Sequence, residues 1–268
     1  MDSTASPLPA TLQQVRKASR LSQLELSLRL GVSQRHISFV ESGRAKPSRP
    51  LLAAWLQELN APLGVRNAVM LQAGYAPLYS NAPLADDSLT LANEALARLL
   101  AAHDPMPALV IDAQWNLLRL NQGGQWLLSA LMPDNAAPTA MLPINLLDLL
   151  AHPQGLTQHI TNLPEVGPGF LARLRQEAAM QPAIAPQVDA FAHLLRDRLG
   201  PGGLQGRGAP PQSPVLTTRY ATRHGELAFF SMFTTFGTPQ DITLASLRVE
   251  HLFAADEATQ TVLQAQVG

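Results

Sequence analysis

The sequence predicts an all-α N-terminal domain followed by an α+β C-terminal domain. Residues 11–74 show only helical periodicity, residues 75–88 are rich in Pro, Asn and Ser, and strand-like runs occur at both ends of what remains. A chain of 268 residues, of which 46% are hydrophobic, is long enough to form two cores. We therefore expect domains at 9–74 and 89–268, joined by a linker at 75–88.

Charge is unevenly distributed along the chain. Residues 1–60 contain eight Lys and Arg against four Asp and Glu, a net charge of +4, whereas the remainder carries a net charge of −5. A basic N-terminal domain on an acidic remainder is typical of proteins that bind nucleic acid through one domain.

The sequence contains no cysteine, which excludes disulfides and thiolate metal sites and is typical of a reducing compartment. The N-terminus has no basic segment leading into an apolar run. Nowhere do the roughly 18 apolar residues needed to cross a bilayer occur together. We therefore expect a cytoplasmic protein without a membrane partner.

Two short helices and a tight turn are predicted within residues 22–43. Ser22 is placed to cap the first helix, and Gly31 is placed to end it. Ser33 is placed to cap the second helix, which ends near Ser42 and Gly43. Two short helices joined by a turn that contains Gly form a helix-turn-helix unit.

The second of these helices has two distinct faces. Ile37 and Val40 lie on one side, where they are expected to pack against the apolar residues Leu26, Leu30 and Leu52. Arg35, Ser38 and Phe39 lie on the other side, with Gln34 near the N-terminal end. Side chains such as those of Gln34 and Arg35 read adenine and guanine in the major groove. The spacing therefore predicts a DNA recognition helix.

The segment LSQLELSLRLGVSQRHISFVESGRAKPS resembles the lambda-repressor-like, Cro/C1-type (XRE) helix-turn-helix domain, over roughly residues 10–62. The resemblance implies base contacts from Gln34, Arg35 and Phe39 on double-stranded operator DNA. Paired half-sites about one DNA turn apart call for a twofold protein, so we expect a homodimer. Together with the helix faces and the nearby cations, the resemblance gives a predicted DNA-binding set of Arg16, Gln23, Ser33, Gln34, Arg35, Ser38, Phe39, Ser42, Arg44, Lys46 and Arg49.

Phe39 departs from the polar side chains expected on a reading surface. One interpretation is apolar contact with a thymine methyl group, and the other is packing against neighbours on the same helix. The alternative interpretation of the whole motif is a similar helical hairpin that contacts only protein.

The C-terminal region predicts a mixed domain. A helix over 89–102 precedes strands at 107–112 and 115–120, with Asp112 in the turn between them. Helices then occupy 122–199, a Gly- and Pro-rich run covers 200–214, and the remaining strands are at 215–222, 227–235 and 244–253. These patterns predict one antiparallel sheet with helices packed on one side.

Three segments resemble the MmyB-like ligand-binding domain, which has a PAS-like fold: PALVIDAQWNLLRLN, HPQGL and FGTPQDITLASLRVEHLFAADEAT. The resemblance implies a transcription regulator that senses a small apolar, fatty-acid-like molecule. Two positions depart from the family pattern, because Leu163 replaces its usual tryptophan and Ala254 its usual proline.

A sheet covered by helices can enclose a cavity lined mainly by apolar side chains with a few polar anchors. The candidate lining residues are Trp115, Leu117, Phe170, Leu171, Phe191, Phe229, Met232 and Phe233, and the candidate anchors are Asn121, His152 and Arg173. Ordinary core packing is the commoner role for each apolar residue. We expect the carboxylates Asp112, Asp241, Glu250 and Asp256 to serve in turns, caps and surface pairs.

Enzyme motifs are missing from the sequence. The seven histidines lack metal-ligand spacing, and no nucleophile elbow or phosphate-binding loop occurs. We expect neither catalysis nor a cofactor other than the apolar ligand. The alternatives are an antitoxin or adaptor whose C-terminal domain binds a protein, and a DNA-tethered enzyme.

Overall fold

The computed structural model describes residues 8–132, 144–200, 202–203 and 215–268. Most of the predicted Gly- and Pro-rich run at 200–214 therefore lies outside the described residues. The chain divides into two compact units. The first comprises the described residues up to Pro83 together with Thr238–Ala245, and the second comprises Leu84–Gly237 and Ser246–Gly268.

The N-terminal part of the first unit is entirely helical. Its helices are α1 (Leu8–Ala18), α2 (Gln23–Leu30), α3 (Gln34–Glu41), α4 (Arg49–Glu58) and α5 (Leu63–Gln72). The Ser22 hydroxyl accepts a hydrogen bond from the Glu25 amide at 3.1 Å, and the Glu25 carboxylate accepts one from the Ser22 amide at 2.8 Å. Gly31 ends α2 at a φ of +66°, a left-handed conformation that favours glycine.

The core of the first unit fixes the orientation of α3. Ile37 and Val40 are buried together with Leu26 and Leu52, as the helix faces predicted, and Trp55 of α4 lies fully inside the same cluster. Because these residues hold one face of α3, the opposite face remains outward.

The second unit contains one six-stranded antiparallel sheet in the order β3-β2-β1-β6-β5-β4. The strands are β1 (Ala108–Ile111), β2 (Asn116–Leu120), β3 (Ile144–Asn145), β4 (Thr218–Thr222), β5 (Gly225–Thr235) and β6 (Arg248–Ala254). The remaining helices are α6 (Thr90–His103), α7 (Gln122–Leu131), α8 (Leu146–Ala151), α9 (Leu163–Met180), α10 (Ala185–Leu199), α11 (Ile242–Ser246), which belongs partly to the first unit, and α12 (Glu257–Val267). The expected all-α and α+β fold classes are both confirmed.

Two details of the sheet differ from expectation. The strand predicted to start at residue 244 begins at Arg248, because Asp241 accepts a hydrogen bond from the Leu244 amide and starts the helical turn of α11. Helices also lie on both faces of the sheet. The His103 ring of α6 contacts His251 and Phe253 of β6 on the face away from α9 and α10.

No helix among the described residues is long and apolar enough to span a membrane. Within the same residues, no group of three His, Asp or Glu side chains is arranged to hold a metal ion.

Candidate functional site

The outward face of α3 presents a polar and basic surface. Gln34 and Arg35 are exposed, and Ser38 and Phe39 are partly exposed beside them. Ser33 caps the helix by accepting a hydrogen bond from the His36 amide at 3.2 Å. The helix N-terminus and its first side chains are therefore free to approach DNA.

Phe39 lies between two arginines. The guanidinium carbon of Arg35 is 5.1 Å from the ring centre, and that of Arg44 is 5.8 Å away. Both distances are within the range of cation–π attraction. The ring therefore contacts two of the predicted DNA-binding side chains.

Further cations extend this surface after α3. Arg44, Lys46 and Arg49 are exposed, as is Ser42 at the end of the helix. The Lys46 ammonium lies 5.5 Å from the Tyr75 ring centre, which restricts its position. Exposed cations beside a reading helix are suited to contact phosphates.

Arg16, predicted to contact phosphate, instead lies inside the first unit. Its Nε and Nη2 donate to the two carboxylate oxygens of Glu41 at 2.7 and 2.8 Å, and Nη1 donates to the Leu21 carbonyl at 2.6 Å. The Gln23 side-chain amide donates to the same carboxylate at 2.8 Å. We therefore infer that Arg16 stabilises α3 through Glu41, and that Gln23 contributes to the same interaction.

The second unit contains a partly open cavity of about 480 Å³ between the sheet and its helices. This volume is within the roughly 300–1,000 Å³ typical of small-molecule sites. Its walls are mostly apolar and include Leu109, Trp115, Leu117, Leu127, Leu128, Leu131, Leu146, Leu150, Leu156, Ile160, Leu163, Val166, Phe170, Phe191, Phe229 and Leu252.

Six of the predicted ligand-binding residues line this cavity. They are Trp115, Leu117, Phe170, Arg173, Phe191 and Phe229. The ring of Phe170 meets both Trp115 and Phe191 edge to face, at 5.8 Å between centres in each case. The Arg173 guanidinium carbon lies 5.5 Å from the centres of the Trp115 and Phe170 rings.

The other predicted ligand-binding residues lie elsewhere. Met232 is 56% exposed and on the opposite face of β5, because strand side chains alternate and Phe229 faces the cavity. Leu171 and Phe233 pack beside the cavity without lining it. Asn121 caps α7 and donates to the Met106 carbonyl at 2.7 Å, and His152 ends α8 at an exposed position.

The expectation that Glu250 serves in a turn, a cap or a surface ion pair is wrong, because this residue lies on the wall of the cavity. Burial raises the pKa of its carboxyl, and Arg173, Ser231 and Arg248 oppose that shift. Tyr220 and Ser231 also line the cavity and were missing from the predicted site. Because side chains alternate along a strand, Ser231 follows from the prediction of Phe229, two residues earlier. No sequence signal shows that β4 and β6 form the same wall of the cavity.

The other three carboxylates serve as expected in turns and caps. Asp112 accepts from the Gln114 amide at 2.8 Å, and Asp256 caps α12 by accepting from the Thr259 amide at 2.8 Å. Asp241 caps α11 but is also buried, with only 4% of its surface exposed.

Comparison with known proteins gives a separate family match for each part of the chain. Residues 92–265 match the family model of the MmyB-like transcription regulator ligand binding domain, and residues 12–65 match a helix-turn-helix model. Among curated proteins no relative matches the chain.

The chain is also similar to a solved structure titled "Structure of an RNA-binding Light-Oxygen-Voltage Receptor", with 15% identity and a TM-score of 0.26. The similarity covers 98% of this chain and 63% of the receptor chain, so this chain spans less than two thirds of its length. The two family matches, one of them covering more than half of the chain, establish the family. The protein belongs to the MmyB-like transcription regulators, and its match to their ligand-binding domain follows a helix-turn-helix match.

Proposed function

We propose that this regulator binds double-stranded operator DNA through α3 as a homodimer, and that its cavity binds a small apolar, fatty-acid-like molecule that alters DNA binding. The cavity is the main observation that supports this proposal. It lies between the sheet and the helices, its walls are mostly apolar, and its volume of about 480 Å³ accommodates a small ligand. Two helix-turn-helix units one DNA turn apart require a twofold protein, which supports the homodimer.

The first test examines the freshly purified protein by native mass spectrometry. We expect a co-purified small molecule and a mass of two chains. Operator binding is then titrated with ligand-free and ligand-loaded protein at several salt concentrations. A ligand regulates only if it binds the DNA-competent and DNA-incompetent states with different affinities, so equal operator binding at every salt concentration would overturn the proposal.

Leu163 offers a test of the cavity itself. It is 6% exposed and lines the cavity, at the position where the resembled family has tryptophan. Leu163→Trp restores the family's residue and fills part of the space, so it is expected to shift the preference of the cavity towards shorter apolar ligands. Leu163→Met, of nearly the same volume, is the control and should bind normally.

The segment between β5 and β6 supports a route for coupling. Thr238–Ala245 belongs to the first unit, although it is continuous with two strands of the second. The Asp241 carboxylate accepts hydrogen bonds from the Ser80 hydroxyl and the Ala82 amide, and the Ile242 amide donates to the Ser80 carbonyl at 2.9 Å. Cavity-lining residues of β5 and β6 are therefore joined directly through the chain to a segment anchored in the DNA-binding unit.

The residues beside Ser80 are held to α5. The Asn67 side chain accepts hydrogen bonds from the amides of Leu78 and Tyr79, and donates one to the Tyr79 carbonyl at 2.7 Å.

We propose that Thr238–Ala245 transmits changes in cavity occupancy to the first unit, in addition to the linker. Asp241→Asn should preserve ligand binding and operator binding but reduce the effect of one on the other. Asp256→Asn, the same change at the cap of α12, should leave the coupling intact, and unchanged coupling in Asp241→Asn would exclude this route.

A further inference from the structure

Helix α9 contains the sequence Gly167-Pro168-Gly169 in its interior. The helix runs from Leu163 to Met180, with Pro168 inside it. A proline has no amide hydrogen to donate to the carbonyl one turn earlier, here that of Pro164, and its ring crowds that carbonyl. Glycine is a poor helix former because it loses the most conformational freedom on folding. These three residues are therefore the place where α9 bends most easily.

Packing explains one of the two glycines but not the other. Gly167 is buried, and a Cβ built on it would lie 3.0 Å from Cδ2 of Leu195 in α10. Gly169 is exposed, and a Cβ built on it would meet no atom within 4 Å outside the neighbouring backbone of its own helix. Gly169 also lacks a positive φ. Since neither close packing nor a left-handed backbone requires this glycine, flexibility is the property that it adds to α9.

This part of α9 borders the opening of the cavity. Four of the described residues that line the cavity are exposed, namely Gly169, Val215, Leu216 and Ser231. Val215 and Leu216, just before β4, are 45% and 44% exposed. The other described lining residues are buried or half-buried. The entrance therefore lies between Gly169 and the neighbouring parts of β4 and β5.

The two halves of α9 are held by different strands. Before the glycines, the Asn162 side chain donates a hydrogen bond to the Thr217 carbonyl, next to β4, at 2.9 Å. After them, the Arg173 guanidinium carbon lies 4.7 Å from the centre of the Phe233 ring of β5. Both halves also contribute residues that line the cavity. Bending at 167–169 would therefore change the gap between α9 and the strands beside the entrance.

We propose that Gly167, Pro168 and Gly169 form a hinge in α9, and that bending at this hinge admits apolar ligands to the cavity and releases them. The inference rests on the proposed function, because the hinge acts on the entrance of the same cavity. Ligands pass in both directions through the same open state, so a stiffer hinge slows entry and release by the same factor and leaves the affinity unchanged.

The test follows the neutral apolar fluorophore N-phenyl-1-naphthylamine as it binds ligand-free full-length protein, by stopped-flow fluorescence. Gly169→Ala stiffens α9 at a position where a methyl group has room. We expect association and dissociation each to slow by about three- to fivefold, with an unchanged dissociation constant. The Tm should rise by about 1–3 °C, because alanine is the better helix former.

Gly64→Ala is the matched control. Gly64 is an exposed glycine of α5, and a Cβ built on it would also meet nothing within 4 Å. This change should stabilise α5 while leaving both rates unchanged. Pro168→Ala restores an amide donor to α9 and should slow both rates as Gly169→Ala does. Amide hydrogen exchange in peptides from 163–170, measured by mass spectrometry, should be slower in both α9 variants than in the wild type.

The outcomes separate the hinge from the proposed function. A Gly169→Ala protein that is more stable but exchanges the fluorophore at wild-type rates would show that α9 does not control the entrance. Faster release with unchanged entry would mean that residue 169 affects the bound ligand itself, and would also rule out the hinge. If the wild-type protein does not bind the fluorophore saturably, the proposed function fails as well.

Discussion

Two glutamates show how differently the two units treat a buried carboxylate. Glu41 in the first unit receives two hydrogen bonds from Arg16 and one from Gln23, and its side chain is only 2% exposed. Glu250 in the second unit faces a cavity and has no salt-bridge partner among the described residues. The first arrangement stabilises a fold, whereas the second leaves hydrogen-bonding capacity available to a ligand.

The largest expected effect comes from breaking the first arrangement. Glu41→Ala leaves the buried Arg16 guanidinium without its counter-ion, and removing one partner of a buried pair costs about 3–5 kcal/mol. We expect the first unit to unfold early in chemical denaturation and operator binding to be lost. Glu58→Ala is the control, since its pair with Arg29 is exposed and contributes only about 0–1 kcal/mol. Similar losses in the two variants would contradict the assignment of Arg16 to the interior.

The same contrast explains what the sequence predicts and what it does not. Every element of the predicted DNA-reading surface comes from residues 22–49, so local caps and helix periodicity suffice to place Gln34, Arg35 and Phe39 outward. The buried pairing of Arg16 does not follow from the sequence, because its partner, Glu41, is 25 residues away. Such a pairing depends on tertiary packing and has no local signature.

The cavity depends even more on contacts between distant segments. Its walls combine residues from Pro107 to Leu252, and the sheet order that brings β4, β5 and β6 together follows from long-range pairing. Aromatic residues such as Phe170 were predictable because an apolar cavity needs them. Glu250 was not, because its sequence position in a strand is equally typical of a solvent-exposed charge.

The second prediction concerns Glu250→Gln, which we expect to raise the free energy of unfolding, whereas Glu41→Ala lowers it. Because burial raises the pKa of Glu250 in the folded protein, the native state binds its proton more tightly than the unfolded state does. The stability that this group contributes is complete below its unfolded pKa and is lost as the pH rises through its folded pKa. Glu250→Gln should therefore stabilise the ligand-free protein by roughly 0.5–2 kcal/mol at mildly alkaline pH, with the gain shrinking on acidification.

Thermal unfolding of the ligand-free protein across pH measures this effect. Glu94→Gln, on the exposed surface of α6, is the control and should change stability little at any pH. A Glu250→Gln variant that is less stable than the wild type at every pH would mean that the carboxylate serves the fold, as Glu41 does.

The smallest expected effect concerns Phe39, where an aromatic ring contacts cations at the surface rather than inside a cavity. Arg173 lies over three rings, those of Trp115, Phe170 and Phe233, of which Trp115 is buried, whereas Arg35 and Arg44 share the single, partly exposed ring of Phe39. Exposed cation–π contacts contribute about 0.5–1 kcal/mol, so Phe39→Ala should weaken operator binding by about two- to fivefold. Phe39→Leu separates the two interpretations of the ring, because leucine can still touch a thymine methyl group but cannot attract the arginines. If the ring orients Arg35 and Arg44, Phe39→Leu will bind as weakly as Phe39→Ala across a panel of operator variants. Recovery of affinity by leucine at one A·T position would instead assign Phe39 to direct reading of thymine.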